Sequence, residues 1–246
     1  EKVYEPIIRK AAGLGNISFK DDPDSYDRGF LHCDLLIIGA GPAGLAAALV
    51  AAKSGAEVIL ADEDFNMGGR LNSERFSLNN QSGVDWAEST VLELQSFQNV
   101  RLMPRTTILG AFDHGKYGAL ERVSDHLLVP QAGKPRQILW QIYTKRSLLC
   151  AGATERPIAF ENNDRPGIML AGAMRSYANR WAVTPSQSVT IFTNNDDGHK
   201  TAIDLKALGV NIAGVVDIRL DAPDSDLYEV IAGGQVVNTN GRLGLT

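Results

Sequence analysis

Leu35-Leu36-Ile37-Ile38-Gly39-Ala40-Gly41-Pro42-Ala43-Gly44 is the stretch that decides how this chain folds. Its four apolar residues run without alternation, as in a strand buried on both faces. Three glycines follow at GxGxxG spacing, and Leu45-Ala46-Ala47-Ala48-Leu49-Val50-Ala51-Ala52 is a strong helix former closed by Lys53 and Gly55. Val58-Ile59-Leu60-Ala61 predicts a second buried strand that runs into Asp62-Glu63. Strand, glycine turn, helix, strand and acid within about 30 residues form the fingerprint of an ADP-binding βαβ unit.

Each part has a physical task. Gly39 allows the tight turn, Gly41 lets a pyrophosphate approach the backbone, and Gly44 lets the helix pack against the strand. Free amides and the positive end of the helix dipole attract the phosphates. Asp62 lies 18 positions beyond Gly44, close to the usual spacing of about 20 for the acid that bonds a ribose hydroxyl. A 2′-phosphate would meet two carboxylates at Asp62 and Glu63, which disfavours NADP and leaves NAD and FAD open. Arg70 is the one basic group nearby, read either as a pyrophosphate ligand or as a solvated side chain.

A length of 246 residues with 44% hydrophobic content suffices for one large domain or two small ones. Net charge −5 and a pI near 5.4 argue against nucleic acid or an anionic membrane as partner. No apolar run approaches the roughly 18 residues of a membrane span, and no basic-then-apolar leader opens the chain. Cys33 and Cys150 do not make a disulfide framework, so a cytoplasmic location is the expectation. Without a secretion signal, the sequon Asn80-Gln81-Ser82 reads as chance.

The pattern predicts an α/β Rossmann-like FAD/NAD(P)-binding fold with a parallel sheet, an antiparallel excursion and a second, degenerate nucleotide-binding-like unit. Residues 1–30 read as a lead-in with a short amphipathic helix (Tyr4, Ile7, Ile8, Ala11, Leu14) that packs on the domain or a partner; 31–187 as the dinucleotide-binding domain; and 188–246 as the second unit. Met67-Gly68-Gly69-Arg70 is a second glycine turn. Val84 to Phe97 reads as a helix, and Thr106 to Phe112, Ala119 to Val129 and Gln137 to Leu149 as strands, with a turn over Pro130 to Pro135. Ala171 to Trp181 reads as helical. Val189 to Phe192, Lys200 to Leu208 and Ile212 to Asp217 repeat the opening strand, helix and strand. The turn between them, Thr193-Asn194-Asn195-Asp196-Asp197-Gly198-His199, has no GxG, and its carboxylates suit capping rather than phosphate binding. Leu227 to Thr246 are too few to complete a second sheet as well as to return to the first.

Chemical machinery is sparse. His32, His114, His126 and His199 lack metal-ligand spacing and read as surface or loop residues, and the cysteines read as buried thiols. No Cys-x-x-Cys, Gly-x-Ser-x-Gly or P-loop occurs. No residue is assigned a catalytic role.

Several stretches resemble the alpha subunit of heterotetrameric sarcosine oxidase: Tyr4-Glu5-Pro6-Ile7-Ile8-Arg9-Lys10-Ala11-Ala12-Gly13-Leu14-Gly15, Gly152-Ala153-Thr154-Glu155-Arg156-Pro157-Ile158, Asn163-Asp164-Arg165-Pro166-Gly167-Ile168-Met169-Leu170, and Phe192-Thr193-Asn194-Asn195-Asp196-Asp197. Phe112-Asp113-His114 and Glu121-Arg122-Val123 resemble the family's middle strands. The resemblance implies an alpha subunit that binds NAD, with FAD and FMN on a partner subunit or at an interface, and beta, gamma and delta subunits as partners. It implies oxidative demethylation of sarcosine to glycine with hydrogen peroxide and, with tetrahydrofolate, methylene-tetrahydrofolate. Carried over by position, the NAD contacts are Gly39, Gly41, Ala43, Gly44, Asp62, Glu63, Asp64, Arg70 and Leu109. Family members are several times longer, so the chain reads as a fragment or truncated homologue, inactive by itself. Opine oxidase and hydrogen cyanide synthase subunits share much of the pattern, and the alternatives are a freestanding FAD-dependent pyridine-nucleotide oxidoreductase or a subunit of an opine oxidase. Intact glycines argue against a module that has lost its ligand.

Overall fold

The computed structural model describes residues 4–13, 15, 19–78, 80–129, 132–160, 162–184 and 186–234, and the backbone alone of 236–239 and 242–245. The expected apolar position Leu14 and the start of the turn at Pro130 lie outside the described residues.

In chain order the elements begin with α1 (Glu5–Ala11), β1 (Tyr26–Ile38), α2 (Pro42–Lys53), β2 (Val58–Ala61), β3 (Ser77–Leu78), β4 (Gln81–Ser82) and α3 (Gly83–Gln95). Then come β5 (Val100–Met103), β6 (Thr106–Phe112), β7 (Lys116–Arg122), β8 (Gln137–Leu149) and α4 (Ala171–Arg175). The chain continues with β9 (Ser188–Thr193), α5 (Asp196–Ala207), β10 (Asn211–Asp217), β11 (Val230–Ala232), β12 (Val236–Thr239) and β13 (Arg242–Leu245).

The main sheet has strand order β5-β2-β1-β8-β7-β6. Its first four strands are parallel; β7 pairs antiparallel with β8 and β6 antiparallel with β7, which is the expected excursion. Alternate residues of the central strands feed two cores. Ile37, Val58 and Leu60 face α2 and α3, where Leu45, Ala48 and Leu94 meet them. Leu36, Ile59 and Met103 face the other way and pack with Ile142. Burial on both faces is why these strands carry no polar alternation. Each fully buried Leu or Ile contributes about 1.5–3 kcal/mol.

Several boundaries differ from the sequence reading. β1 starts at Tyr26 and pairs with β8 along almost its entire length. Its first half is exposed on one face, so a search for unbroken apolar runs passes over it. The Ser82 hydroxyl accepts the Asp85 N–H at 3.1 Å and fixes the start of α3 at Gly83. β7 ends at Arg122, short of the strand expected to Val129. Beyond α4 the backbone widens into a π-helical turn, Ser176–Arg180. α1 forms, but it buries no residue, and Tyr4 at its N-cap is exposed together with Ile7 and Ile8.

The second sheet, β11-β10-β9, is parallel throughout. Ile191, Ile212 and Val215 pack there with Ala202 and Leu205 of α5. Met174 and Ala178, from α4 and the π turn, join the same core.

Candidate dinucleotide-binding site

Gly39 has φ +100°, and a Cβ on it would stand 2.5 Å from the Cys150 carbonyl oxygen, so only glycine fits where β1 turns beside β8. A Cβ on Gly44 would collide with the Gly39 carbonyl, which lets α2 close directly onto the turn. Gly41 is different. Its φ is −70°, and a Cβ there would meet no protein atom within 4 Å. What makes glycine useful at that position is space for something other than protein.

The first bond of α2 runs from the Leu45 N–H to the Gly41 carbonyl at 2.9 Å. The amides of Ala43 and Gly44 precede it and have no carbonyl four residues back within the helix. The first turn of α2 contains no acidic residue, and Pro42 occupies its N-terminal position. Together these features make an anion cradle at a helix N-terminus. The cradle fits the diphosphate of NAD or FAD.

Asp62, directly after β2, braces this turn. Its Oδ2 accepts the Ala40 N–H at 2.5 Å and its Oδ1 the Asp64 N–H at 2.8 Å. A carboxylate has about four acceptor positions, so each oxygen retains capacity for a sugar hydroxyl. The Glu63 side chain is exposed, while its carbonyl accepts from Arg122 Nη2 at 2.6 Å. Arg180 grips Asp64 through two bonds of 2.7 and 2.8 Å and holds that carboxyl below its usual range. The second glycine turn closes over the first. The Gly68 N–H donates to the Ala40 carbonyl at 2.8 Å, and a Cβ on Gly69 would stand 2.9 Å from Gly41 Cα.

Arg70 follows directly, with its guanidinium on Glu74 and Asp197. Leu109 lies on β6, whose first N–H, from Thr106, donates to the Asp62 carbonyl at 2.7 Å. The Leu109 side chain is 58% exposed and lines a shallow recess of about 230 Å³ with Phe112, Leu139 and Trp140. The structure therefore groups Gly39, Gly41, Ala43, Gly44, Asp62 and Arg70 around one turn, with Glu63 and Asp64 beside it and Leu109 further along the adjoining strand.

Sequence reasoning missed a polar seam under this turn. Arg175 is only 3% exposed, yet it reaches Asp204 at 2.9 Å, Asp197 at 3.3 Å and Glu74 at 3.5 Å. The spacing of arginines at 175 and 180 was its one available signal, and their partners are far away in sequence.

The second unit keeps the frame of the first and fills its phosphate site with protein. Gly198 lies five residues after Thr193, as Gly44 does after Gly39, and a Cβ on it would collide with the Thr193 side chain. Asn195 takes the step of Gly41 and caps α5 by accepting the Asp197 N–H at 2.9 Å. The capping group is thus this amide, and the carboxylates of Asp196 and Asp197 form ion pairs.

His199 is a correction to the reading of the histidines as surface or loop residues. It is buried, with Nε2 2.9 Å from Asp217 and Nδ1 3.3 Å from the Tyr228 hydroxyl. Burial opposes the charge of Asp217, but hydrogen bonds from Arg219 and His199 prevail and hold its carboxyl at about 2, down from 3.8. Its folded value is depressed, so its stabilisation is complete above about pH 4 and is lost as pH falls from 3.8 towards 2. Urea unfolding between pH 2 and pH 5 should show this slope, and Asp217→Asn should flatten it.

Fold and cradle together define the class: an FAD/NAD(P)-binding Rossmann-like unit of the kind found in oxidoreductases. A family model described as FAD dependent oxidoreductase matches residues 34–93. The L-proline dehydrogenase from P. horikoshii superposes with a TM-score of 0.62 at 21% identity, over 87% of this chain and 44% of that one.

Sequence relatives are more specific. Over most of its length the chain is similar to sarcosine oxidase alpha subunits. It is 49% identical to that of Rhizobium meliloti (strain 1021) over 219 residues, 89% of this chain and 22% of that protein. Identity to its counterpart in Corynebacterium sp. (strain P-1) is 41% over 227 residues, 92% of this chain and 23% of that one. An opine oxidase subunit of Agrobacterium tumefaciens (strain Ach5) is 36% identical over 145 residues, 57% of this chain and 28% of the relative. The chain spans less than a quarter of the length of the sarcosine oxidase subunits it matches. Among the described residues no helix is long and apolar enough to cross a membrane.

Proposed function

We propose that this chain is the NAD-binding part of the alpha subunit of a sarcosine oxidase, with Gly39, Gly41, Ala43, Gly44, Asp62, Glu63, Asp64, Arg70 and Leu109 as its nucleotide contacts. The observation that carries the reading is the space over Gly41, bounded by the amides of α2 and braced by Asp62. The amides of Ala43 and Gly44 would take the diphosphate. Asp62 and Glu63 would take ribose hydroxyls, and their charge repels a 2′-phosphate. NAD held in this way supplies a bound adenine dinucleotide for structure or assembly.

This chain contributes binding rather than bond-making groups. The oxidation of sarcosine to glycine, with FAD and FMN, would take place with beta, gamma and delta subunits. Burial raises the thiols of Cys33 and Cys150 above their ordinary range, which suits inert packing rather than nucleophilic attack.

A second reading, FAD at the same turn of a freestanding oxidoreductase, has support from the family description, since NAD and FAD share the ADP half. Against it stands the second turn, where Thr193, Asn195 and two carboxylates leave no seat for a pyridine-nucleotide donor.

Denaturing the purified chain and identifying what it releases separates the readings. NAD is expected. A yellow protein releasing FAD would favour the second reading, and an empty protein that also ignores added nucleotide would end both.

A further inference from the structure

Asp197 occupies the step of the second turn that corresponds to Ala43 in the first. Its carboxylate reaches out of its own unit and accepts two bonds from Arg70 Nη2, at 2.9 and 2.8 Å. Arg70 Nε is bonded to Glu74. One edge of the guanidinium is therefore consumed, while the Nη1 hydrogens have no acceptor among the described residues. Arg70 is the residue after Gly69, whose backbone abuts Gly41.

We propose that Asp197 is a positioning residue for the first nucleotide site: it pins Arg70 beside the cradle with the Nη1 edge open to a diphosphate. The inference rests on the ADP-binding reading above and adds the second unit to the site. A guanidinium is a planar fork, so two carboxylates on the Nε and Nη2 side also fix the direction of the remaining donors. A side chain fixed in advance loses less freedom when the ligand arrives.

The anchor is itself held. Arg175 hydrogen-bonds Asp197 and Asp204 and forms an ion pair with Glu74 at 3.5 Å, all from the buried side. Burial opposes charge on Asp197, yet the two arginines keep its carboxyl below the usual range, so it stays an anion at neutral pH. The second unit has lost a phosphate turn of its own and acts on the phosphate turn of its neighbour.

The test is titration of the 246-residue chain with ADP and with adenosine, followed by NMR, for wild type, Asp197→Asn, Asp197→Glu, Arg70→Ala and the Arg70→Ala/Asp197→Asn double variant. Asp197→Asn and Arg70→Ala are each expected to weaken ADP about tenfold while changing adenosine by less than about twofold, because adenosine has no phosphate for Arg70 to meet. The double variant should bind ADP no more weakly than Arg70→Ala alone, since both changes remove one linked contact. Asp197→Glu should recover part of the loss. Unchanged or tighter ADP binding in Asp197→Asn, or an equal loss for adenosine, overturns the proposal. A wild type that binds neither ligand overturns the ADP-binding reading along with it, whereas a wild type that binds ADP only as tightly as Asp197→Asn does overturns this inference alone.

Discussion

Gly41→Val is expected to lower affinity for NAD by about a hundredfold or more while leaving the fold in place. The two halves of that expectation have separate causes. A Cβ at Gly41 would have no protein atom within 4 Å, so valine is expected to fit there without an internal collision. Its φ of −70° with ψ of −175° is extended backbone, which valine adopts readily. The structural cost is confined to a poorer helix N-cap, about 1 kcal/mol, or a fall in melting temperature of about 2–4 °C for a chain of this size.

The ligand loses much more. A branched side chain in the cradle keeps a diphosphate from the amides of Ala43 and Gly44, and losing two charge-assisted bonds accounts for the hundredfold. Calorimetry with NAD and a thermal melt of the same sample check both halves. Retained affinity would mean that the diphosphate lies elsewhere. A collapsed melting temperature would mean that the space over Gly41 is needed by the protein itself.

The cradle was legible in sequence because its determinants are local. Gly39, Gly41 and Gly44 act within one turn, and the apolar runs on either side need only two buried faces to explain them. The second unit was legible for the same reason, from the strand and helix periods between Val189 and Asp217. The seam was not, because hydrogen bonds there join residues 127 apart (Arg70 with Asp197) and 116 apart (Arg180 with Asp64). Nothing in a window of about 18 residues distinguishes such an arginine from a solvated one.

His199 shows the opposite failure. Beside two aspartates at a helix N-terminus it has the profile of a solvent residue, but the helix turns it inward onto Asp217 and Tyr228. Polar character alone does not mean exposure, because a buried polar side chain needs only partners. The exposed half of β1 escapes a sequence reading for a related reason, since Arg28 and His32 lie on the outward side of a regularly paired strand and break its apolar run.

Arg175→Met is expected to be the most destabilising conservative-volume change in the ion-pair network that ties α4 to the second unit. Arg175 is 3% exposed and serves three carboxylates, Asp204, Asp197 and Glu74. Methionine fills much of the side-chain volume, so cavity formation is minor and the cost is electrostatic. Removing one partner of a buried ion pair costs about 3–5 kcal/mol, because the charge left behind has neither water nor a counter-ion. For a chain of this length that corresponds to a fall in melting temperature of roughly 6–20 °C. The Asp204 side chain is 8% exposed and among the described residues keeps only the long bond from the Arg75 N–H at 3.5 Å, whereas Asp197 and Glu74 keep Arg70.

That division yields an internal control. Adding Asp204→Asn to Arg175→Met removes the uncompensated charge and should restore part of the loss, a coupling that two independent contacts would not show. Arg175→Lys keeps the charge but loses the fork, so it should fall between wild type and methionine. Thermal melts at low and high salt complete the check, because a buried network responds little to screening while a surface one fades. If Arg175→Met costs less than about 1 kcal/mol, the network behaves as a surface pairing, and the link between the glycine turn and the second unit is too weak to hold Arg70 in place.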